Sequence, residues 1–241
     1  MLLEVCVDDA AGLAAAVAGG ADRVELCSAL ELGGLTPTPG LMALAAKAPV
    51  PVRAMVRPRP GDFVFTSADV EAMLGDIAAI RVAGLSGVVL GASLPDGRLD
   101  TETLRILVAA SAGLGKTLHR AIDLVPDMAE AVEQAVALGF DTILTSGGAS
   151  DILAGADMIA LAHRIANGRL IVMAGAGVNE TSAVQLSAKV KLQALHGSCS
   201  EAAPVAAVSA QRLGFSSPAR RATSAARVAT LKSAMNNLQT G

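Results

Sequence analysis

Eight short apolar runs, most of them rich in β-branched residues, alternate along this chain with longer Ala-rich amphipathic stretches. Strands are predicted at Leu2–Asp8, Arg23–Cys27, Val52–Arg57, Gly87–Leu90, Lys116–His119, Asp141–Thr145, Arg169–Met173 and Lys191–His196. Helical stretches follow the first seven, among them Asp9–Gly19, Pro39–Lys47, Ser67–Val82 with a Ser cap, Pro126–Leu138 and Ser150–Ala166. Spread over 241 residues, this gives about 30 residues per unit, the size of a βα module. Strands alternating with helices imply a parallel sheet covered by helices. Eight such units predict an α/β fold, a closed (β/α)8 TIM barrel, in one domain spanning 1–241. A doubly wound open sheet is the alternative, but it usually has fewer strands. The tail departs from the pattern: a long irregular segment, about 199–222, precedes a last helix at Thr223–Asn237. Loops beyond about 12–15 residues are often functional.

Composition narrows what such a barrel can bind. Hydrophobic residues make up 52% and aromatics 2%, with no Trp and no Tyr, so the core is aliphatic. The formal net charge is −3. That and the shortage of rings argue against a nucleic-acid partner, which needs a basic face or stacking platforms. No apolar run reaches the roughly 18 residues of a membrane span. The first ten residues carry Glu4, Asp8 and Asp9 without an early Lys or Arg, unlike the basic start of a secretory signal. Three Cys, an odd number, fit free thiols in a reducing cytoplasm. No nucleotide cofactor is expected: no G-x-G-x-x-G follows the first strand, and no phosphate-binding G-x-x-x-x-G-K-[ST] occurs.

Strand alternation sorts the polar residues. Strand 1 sets Leu3, Val5 and Val7 against Glu4, Cys6 and Asp8. Strand 2 sets Val24 and Leu26 against Arg23, Glu25 and Cys27. Strand 3 sets Val52, Ala54 and Val56 against Arg53, Met55 and Arg57. The apolar sets belong under the helices, so the charged sets face the barrel interior. Buried charge must be paired, and an internal network of Glu4 and Glu25 against Arg23, Arg53 and Arg57 is one solution. The other concerns position: residues at the C-terminal strand ends face the mouth, where barrel active sites lie. Those residues are Cys6, Asp8, Cys27, Arg57, Arg59, His119, Arg120, Ser146, His196 and Ser198. Gly-rich turns at Ser146-Gly147-Gly148 and Ala174-Gly175-Ala176-Gly177 either permit tight loops or leave N–H groups open to an anion. With Arg57, Arg59 and Ser198, they define a candidate anion site of Arg57, Arg59, Ser146, Gly147, Gly175, Gly177 and Ser198.

Several ordered motifs carry a resemblance. They are Glu4-Val5-Cys6-Val7-Asp8, the run Gly20 to Ser28 (GADRVELCS), Gly33-Gly34-Leu35-Thr36-Pro37, Arg57-Pro58-Arg59 with Gly61-Asp62-Phe63, His119-Arg120-Ala121-Ile122-Asp123, and Leu144-Thr145-Ser146-Gly147. From the first strand to the eighth, the chain resembles the CutC copper-homeostasis proteins. The resemblance implies a TIM barrel, a cytoplasmic location, a role in copper tolerance and a homodimer. It also implies copper ligands, because Cys6 and Cys27 match the two cysteines assigned to the metal in that family. The chain departs from the family at Pro60, Leu118, Ala174 to Gly177 and Ser198-Cys199. These changes bear on loop shape and leave the titratable groups in place.

Two functions follow from these residues. One is Cu(I) binding, since soft thiolates select that ion and Cys6 and Cys27 lie on neighbouring strands with the same parity. His196 and Cys199 stand nearby where strand 8 closes on strand 1. The alternative is an enzyme acting on a small anionic metabolite, phosphorylated metabolites among them. Its catalytic candidates are Glu25, Arg57, His119, Arg120 and His196, with Asp8 as a further carboxylate. A Schiff-base mechanism is disfavoured because no Lys reaches the mouth. A binding or sensor protein without turnover is the third class. Small-residue helix faces suit self-association, so a dimer is the expected assembly.

Overall fold

The computed structural model describes residues 1–204, 207–217 and 219–240; Val205, Ala206, Pro218 and Gly241, which fall within the predicted tail and chain end, lie outside the described residues. In chain order the barrel elements are β1 (Leu2–Val7), α1 (Ala10–Ala18), β2 (Arg23–Leu26), α2 (Pro39–Ala45), β3 (Val52–Met55), α3 (Ser67–Ala83), β4 (Gly87–Leu90) and α4 (Thr101–Ala110). They continue with β5 (Gly115–Leu118), α5 (Met128–Leu138), β6 (Thr142–Thr145), α6 (Ala156–Ala166), β7 (Ile171–Gly175), α7 (Glu180–Ser187) and β8 (Ala194–Gly197). The last elements are β9 (Ser200–Ala202), α8 (Val208–Arg212), β10 (Arg221–Thr223) and α9 (Ala225–Thr240). Strands β1 to β8 form a closed parallel barrel, with β8 pairing back onto β1. The predicted (β/α)8 architecture is therefore the observed one. No described helix is long and apolar enough to cross a membrane.

Local chemistry explains where the helices begin. Asp9, Asp100 and Asp127 accept N–H bonds from the first turns of α1, α4 and α5. Thr66 with Asp69, and Asn179 with Ser182, form reciprocal capping boxes on α3 and α7, satisfying donors that a helix start leaves free. The cap of α3 is thus Thr66, one residue before the Ser expected. Helix α6 begins six residues later than the pattern suggests. There the Asp151 carboxylate takes the N–H groups of Leu153 and Ala154 and holds residues 151–154 in turns.

The segment expected to be irregular carries structure of its own. Its strands β9 and β10 pair antiparallel, Ser200 with Thr223 and Ala202 with Arg221. Three-residue strands of Ser, Glu, Ala, Arg and Thr carry no readable alternation.

An aliphatic shell, including Leu3, Val5, Val24, Leu26, Ile77 and Leu104, lies fully buried between sheet and helices. Inside the barrel, polar groups mix with Met and Leu. At the N-terminal end, Arg53 reaches across from β3 to Asp141 Oδ1 at 2.6 Å and Thr117 Oγ1 at 2.8 Å. Gly87 and Gly115 make room for it: a Cβ on Gly87 would stand 2.9 Å from Arg53 Cγ and 2.6 Å from the Gly115 carbonyl oxygen. Gly87→Ala is expected to cost about 1–3 kcal/mol through overpacking, read as a lower midpoint in urea unfolding. An unchanged midpoint would contradict this packing.

Candidate functional site

Barrel closure assembles the site. Register sets Glu4 level with Arg23 on one side and His196 on the other, and sets Cys6 level with Glu25. With inward parity these side chains converge under the mouth. Arg23 Nε donates to Glu4 Oε2, and its Nη2 lies 3.6 Å from Met173 Sδ. His196 Nδ1 meets Glu4 Oε1 at 2.9 Å, while its Nε2 lies 3.7 Å from Glu25 Oε2. Cys27 donates to Glu25 Oε2 at 3.5 Å. Candidate ligand atoms of Cys6, Glu25 and His196 all lie within 4.8 Å of one another.

Electrostatics follows from burial and pairing. Burial pushes the Glu4 carboxyl up, but the His196 hydrogen bond and the Arg23 charge outweigh it and bring it down to about 2. Burial also opposes a charged His196, yet negative charge at Cys6 and Glu25 and the bond to Glu4 hold its pKa well above the usual value. Burial raises Glu25, with the Glu4 charge adding to it. Burial, then the Glu25 carboxylate, keeps the Cys27 thiol protonated far above its ordinary range. Cys199 is pushed up to about 11, mainly by burial.

The arrangement has a specific chemical meaning. A buried carboxylate holding one imidazole nitrogen fixes the ring and leaves the other nitrogen for a ligand, as in carboxylate–histidine–metal triads. Here Glu4 holds Nδ1, and Nε2 lies on the side of Glu25 Oε2, 3.7 Å away. Thiolate and imidazole are the donors that a soft or borderline ion selects.

The other predicted residues are placed elsewhere. Of the expected ion network only Glu4 with Arg23 forms. Arg53 pairs with Asp141. Arg57 spends its Nη atoms on the carbonyls of Leu32, Gly34 and Gly61, because the loops after β2 and β3 fold around it. Arg59 binds Asp62, Asp69 and the Val64 carbonyl and lies over Phe65. Arg120 binds Asp123 and Ser146. The turn at Ser146 and Gly147 is filled by the chain's own Asp123 carboxylate. That carboxylate accepts from Thr145 Oγ1, the Ser146 N–H and hydroxyl, and the Gly148 N–H. Gly175 belongs to β7, the Gly177 carbonyl accepts from the Ser182 hydroxyl, and Ser198 bonds Ser200. The seven candidate anion residues thus lie in separate parts of the mouth. Asp8 accepts from the Leu30 N–H. It borders a cavity of about 450 Å³ lined also by Asp9, Glu31, Ser198, Phe215 and Arg220. His119 is buried against Phe63, with ring centroids 4.5 Å apart.

Sequence reasoning missed the Glu4–His196 pair, Asp141 as partner of Arg53, and Asp123 as the hub of the β6 loop. An Asp at the start of a strand or inside the His119-Arg120-Ala121-Ile122-Asp123 run was the available signal, but its partner comes from a distant segment.

Comparison with known proteins addresses the family and the fold. The sequence model of the CutC family matches residues 1–201. A CutC family protein from Sinorhizobium medicae is 52% identical over 238 residues, 99% of this chain and 97% of its own length. One from Caulobacter vibrioides is 52% identical over 240 residues, covering 99% and 98%. The solved structure of a CutC protein from Streptococcus agalactiae, named for copper homeostasis, superposes with a TM-score of 0.78 at 30% identity. It covers 82% of this chain and 98% of its own. Phosphoribosylanthranilate isomerase from Thermotoga maritima, at 15% identity and a TM-score of 0.56 over 98% of each chain, shares the fold alone. The chain belongs to the CutC family.

Proposed function

We propose that the protein binds Cu(I) in the barrel mouth, with Cys6 Sγ and His196 Nε2 as first ligands. Cys27 is the further sulfur, joining on loss of its proton, and the role is in copper homeostasis. The observation that carries this reading is the Glu4–His196 bond, which leaves Nε2 free on a ring whose ligand atom lies within 4.8 Å of the Cys6 and Glu25 donor atoms. Three free cysteines, two of them buried in the barrel, support a reducing, cytoplasmic setting in which Cu(I) is the stable form of the ion. Ligand atoms must be deprotonated to bind, so affinity rises with pH.

Anaerobic competition with a Cu(I) chelator tests the site. Cys6→Ser should weaken binding by at least tenfold, and Glu4→Gln by about tenfold to a hundredfold, the usual effect of removing a carboxylate behind a ligating His. A Cys6→Ser/Cys27→Ser double variant that holds Cu(I) as tightly as the parent would sink the proposal.

A further inference from the structure

The opposite half of the mouth holds groups that a thiol–imidazole site does not use. Among the described residues, four buried side-chain N or O atoms have no hydrogen-bond partner: Glu25 Oε1, Arg57 Nε, Ser93 Oγ and His119 Nε2. The last three belong to residues that meet at Phe63, two of them at its ring and one at its backbone. Arg57 Cζ lies 5.1 Å from the Phe63 centroid, and the His119 ring lies 4.5 Å from it. The Ser93 N–H donates to the Phe63 carbonyl at 2.8 Å. Arg57, Ser93 and His119 are 5%, 3% and 3% exposed.

All three orphan atoms are able to donate. His119 Nδ1 accepts the Ala121 N–H at 3.2 Å, which places the ring proton on Nε2. Burial, with the Arg57 charge beside it, keeps this imidazole neutral, its pKa down to about 3. Arg57 is fixed by three loop carbonyls through its Nη atoms, and Nε is the guanidinium nitrogen left without a partner. Ser93 adds a hydroxyl. His119 is seated by Gly91, where a Cβ would stand 2.4 Å from its Cε1. A buried donor left unmade costs about 1–3 kcal/mol, and three that meet at Phe63 call for an acceptor.

We propose that Arg57 Nε, His119 Nε2 and Ser93 Oγ form a recognition site for the carboxylate of a small molecule, covered by Phe63. One guanidinium charge and two neutral donors match a singly charged, two-oxygen group. A phosphate dianion would bring surplus negative charge into a buried place, which is costly. Phe63 is half-buried on the loop between β3 and α3, so its ring lies between the donors and solvent. The site is independent of copper and goes beyond the metal reading.

The test is NMR on the full-length, histidine-labelled, metal-free protein, following the His119 Nε2–H resonance during titration with acetate and, separately, with inorganic phosphate. Acetate should move the resonance saturably. Ser93→Ala and the charge-preserving Arg57→Lys should each weaken the apparent affinity about tenfold, the scale of one lost hydrogen bond. Ser93→Ala alone keeps the test if Arg57→Lys does not fold. A resonance that acetate never moves, an affinity unchanged in Ser93→Ala, or saturation by phosphate in place of acetate would each overturn the proposal. Cys6→Ser should leave the acetate response unchanged, which separates this result from the fate of the copper reading.

Discussion

Glu4→Ala should destabilise the protein by about 3–5 kcal/mol, the range seen when one partner of a buried ion pair is removed. Glu4 is fully buried and joins Arg23, itself 4% exposed, to His196. Its removal takes the paired carboxylate from a buried guanidinium, whose Nη2 keeps Met173 Sδ at 3.6 Å, and frees the imidazole from its orienting bond. For a chain of this size the loss corresponds to a fall in Tm of roughly 10 °C. Glu4→Gln keeps the shape but exchanges one acceptor oxygen for a donor amide and loses the charge, and should fall between parent and Ala. A Glu4→Ala protein with parental urea and thermal midpoints would mean that water or a rearranged side chain replaces the carboxylate. The acid behaviour carries the same signature: with its folded pKa near 2 and its ordinary value at 4.5, Glu4 contributes stability above pH 4.5 that is lost as pH falls toward 2.

His119 dominates the acid response at higher pH. Its folded pKa is about 3 against an ordinary value of 6.5. Below pH 6.5 the unfolded chain takes up a proton that the folded chain refuses, so stability falls steadily from pH 6.5 to pH 3. At 1.36 kcal/mol per pK unit the full loss is on the order of 5 kcal/mol. His196 does not mask it: its pKa is raised, so its contribution is complete below pH 6.5 and is lost only as pH rises through the folded value. Glu25, also raised, is a destabilising group that is relieved as pH falls toward 4.5. The clean measurement is therefore the difference between the parent and His119→Gln, by urea unfolding at a series of pH values. His119→Gln should show a shallower decline between pH 6.5 and pH 4.5. Parallel profiles for the two proteins would show that His119 titrates normally in the fold.

These residues also mark where sequence stops informing. The barrel was legible because the alternation of short apolar runs with amphipathic stretches is local; the structure adds the caps Asp9, Asp100 and Asp127, each within three residues of the N–H it accepts. The inward parity of Cys6, Glu25 and Cys27 was legible for the same reason. Partner choice was not. Glu4 meets His196 across a separation of 192 residues, a contact created only by closure of β8 on β1. Arg53 and Arg57 have the same parity in the predicted third strand, yet one finds a carboxylate at the barrel floor and the other, beyond the end of β3, finds loop carbonyls. Nothing local distinguishes them, because loop paths and register decide. Asp123 stayed hidden for the same reason, its five donors coming from its own short turn and from the β6 loop.

The small ribbon of β9 and β10 has an evolutionary consequence. It pins residue 200 to residue 223, so the chain between them is a loop whose ends are fixed regardless of its length. Closure entropy grows slowly, about 0.6 kcal/mol for each doubling. This stretch therefore tolerates insertion and replacement at little expense to the barrel. It also supplies Phe215, Ser216, Arg220 and Arg221 to the wall of the mouth cavity, while Cys6, Glu25 and His196 are held by strands. The fold thus separates a replaceable rim from strand-held groups, so this stretch can change without disturbing the charged barrel interior.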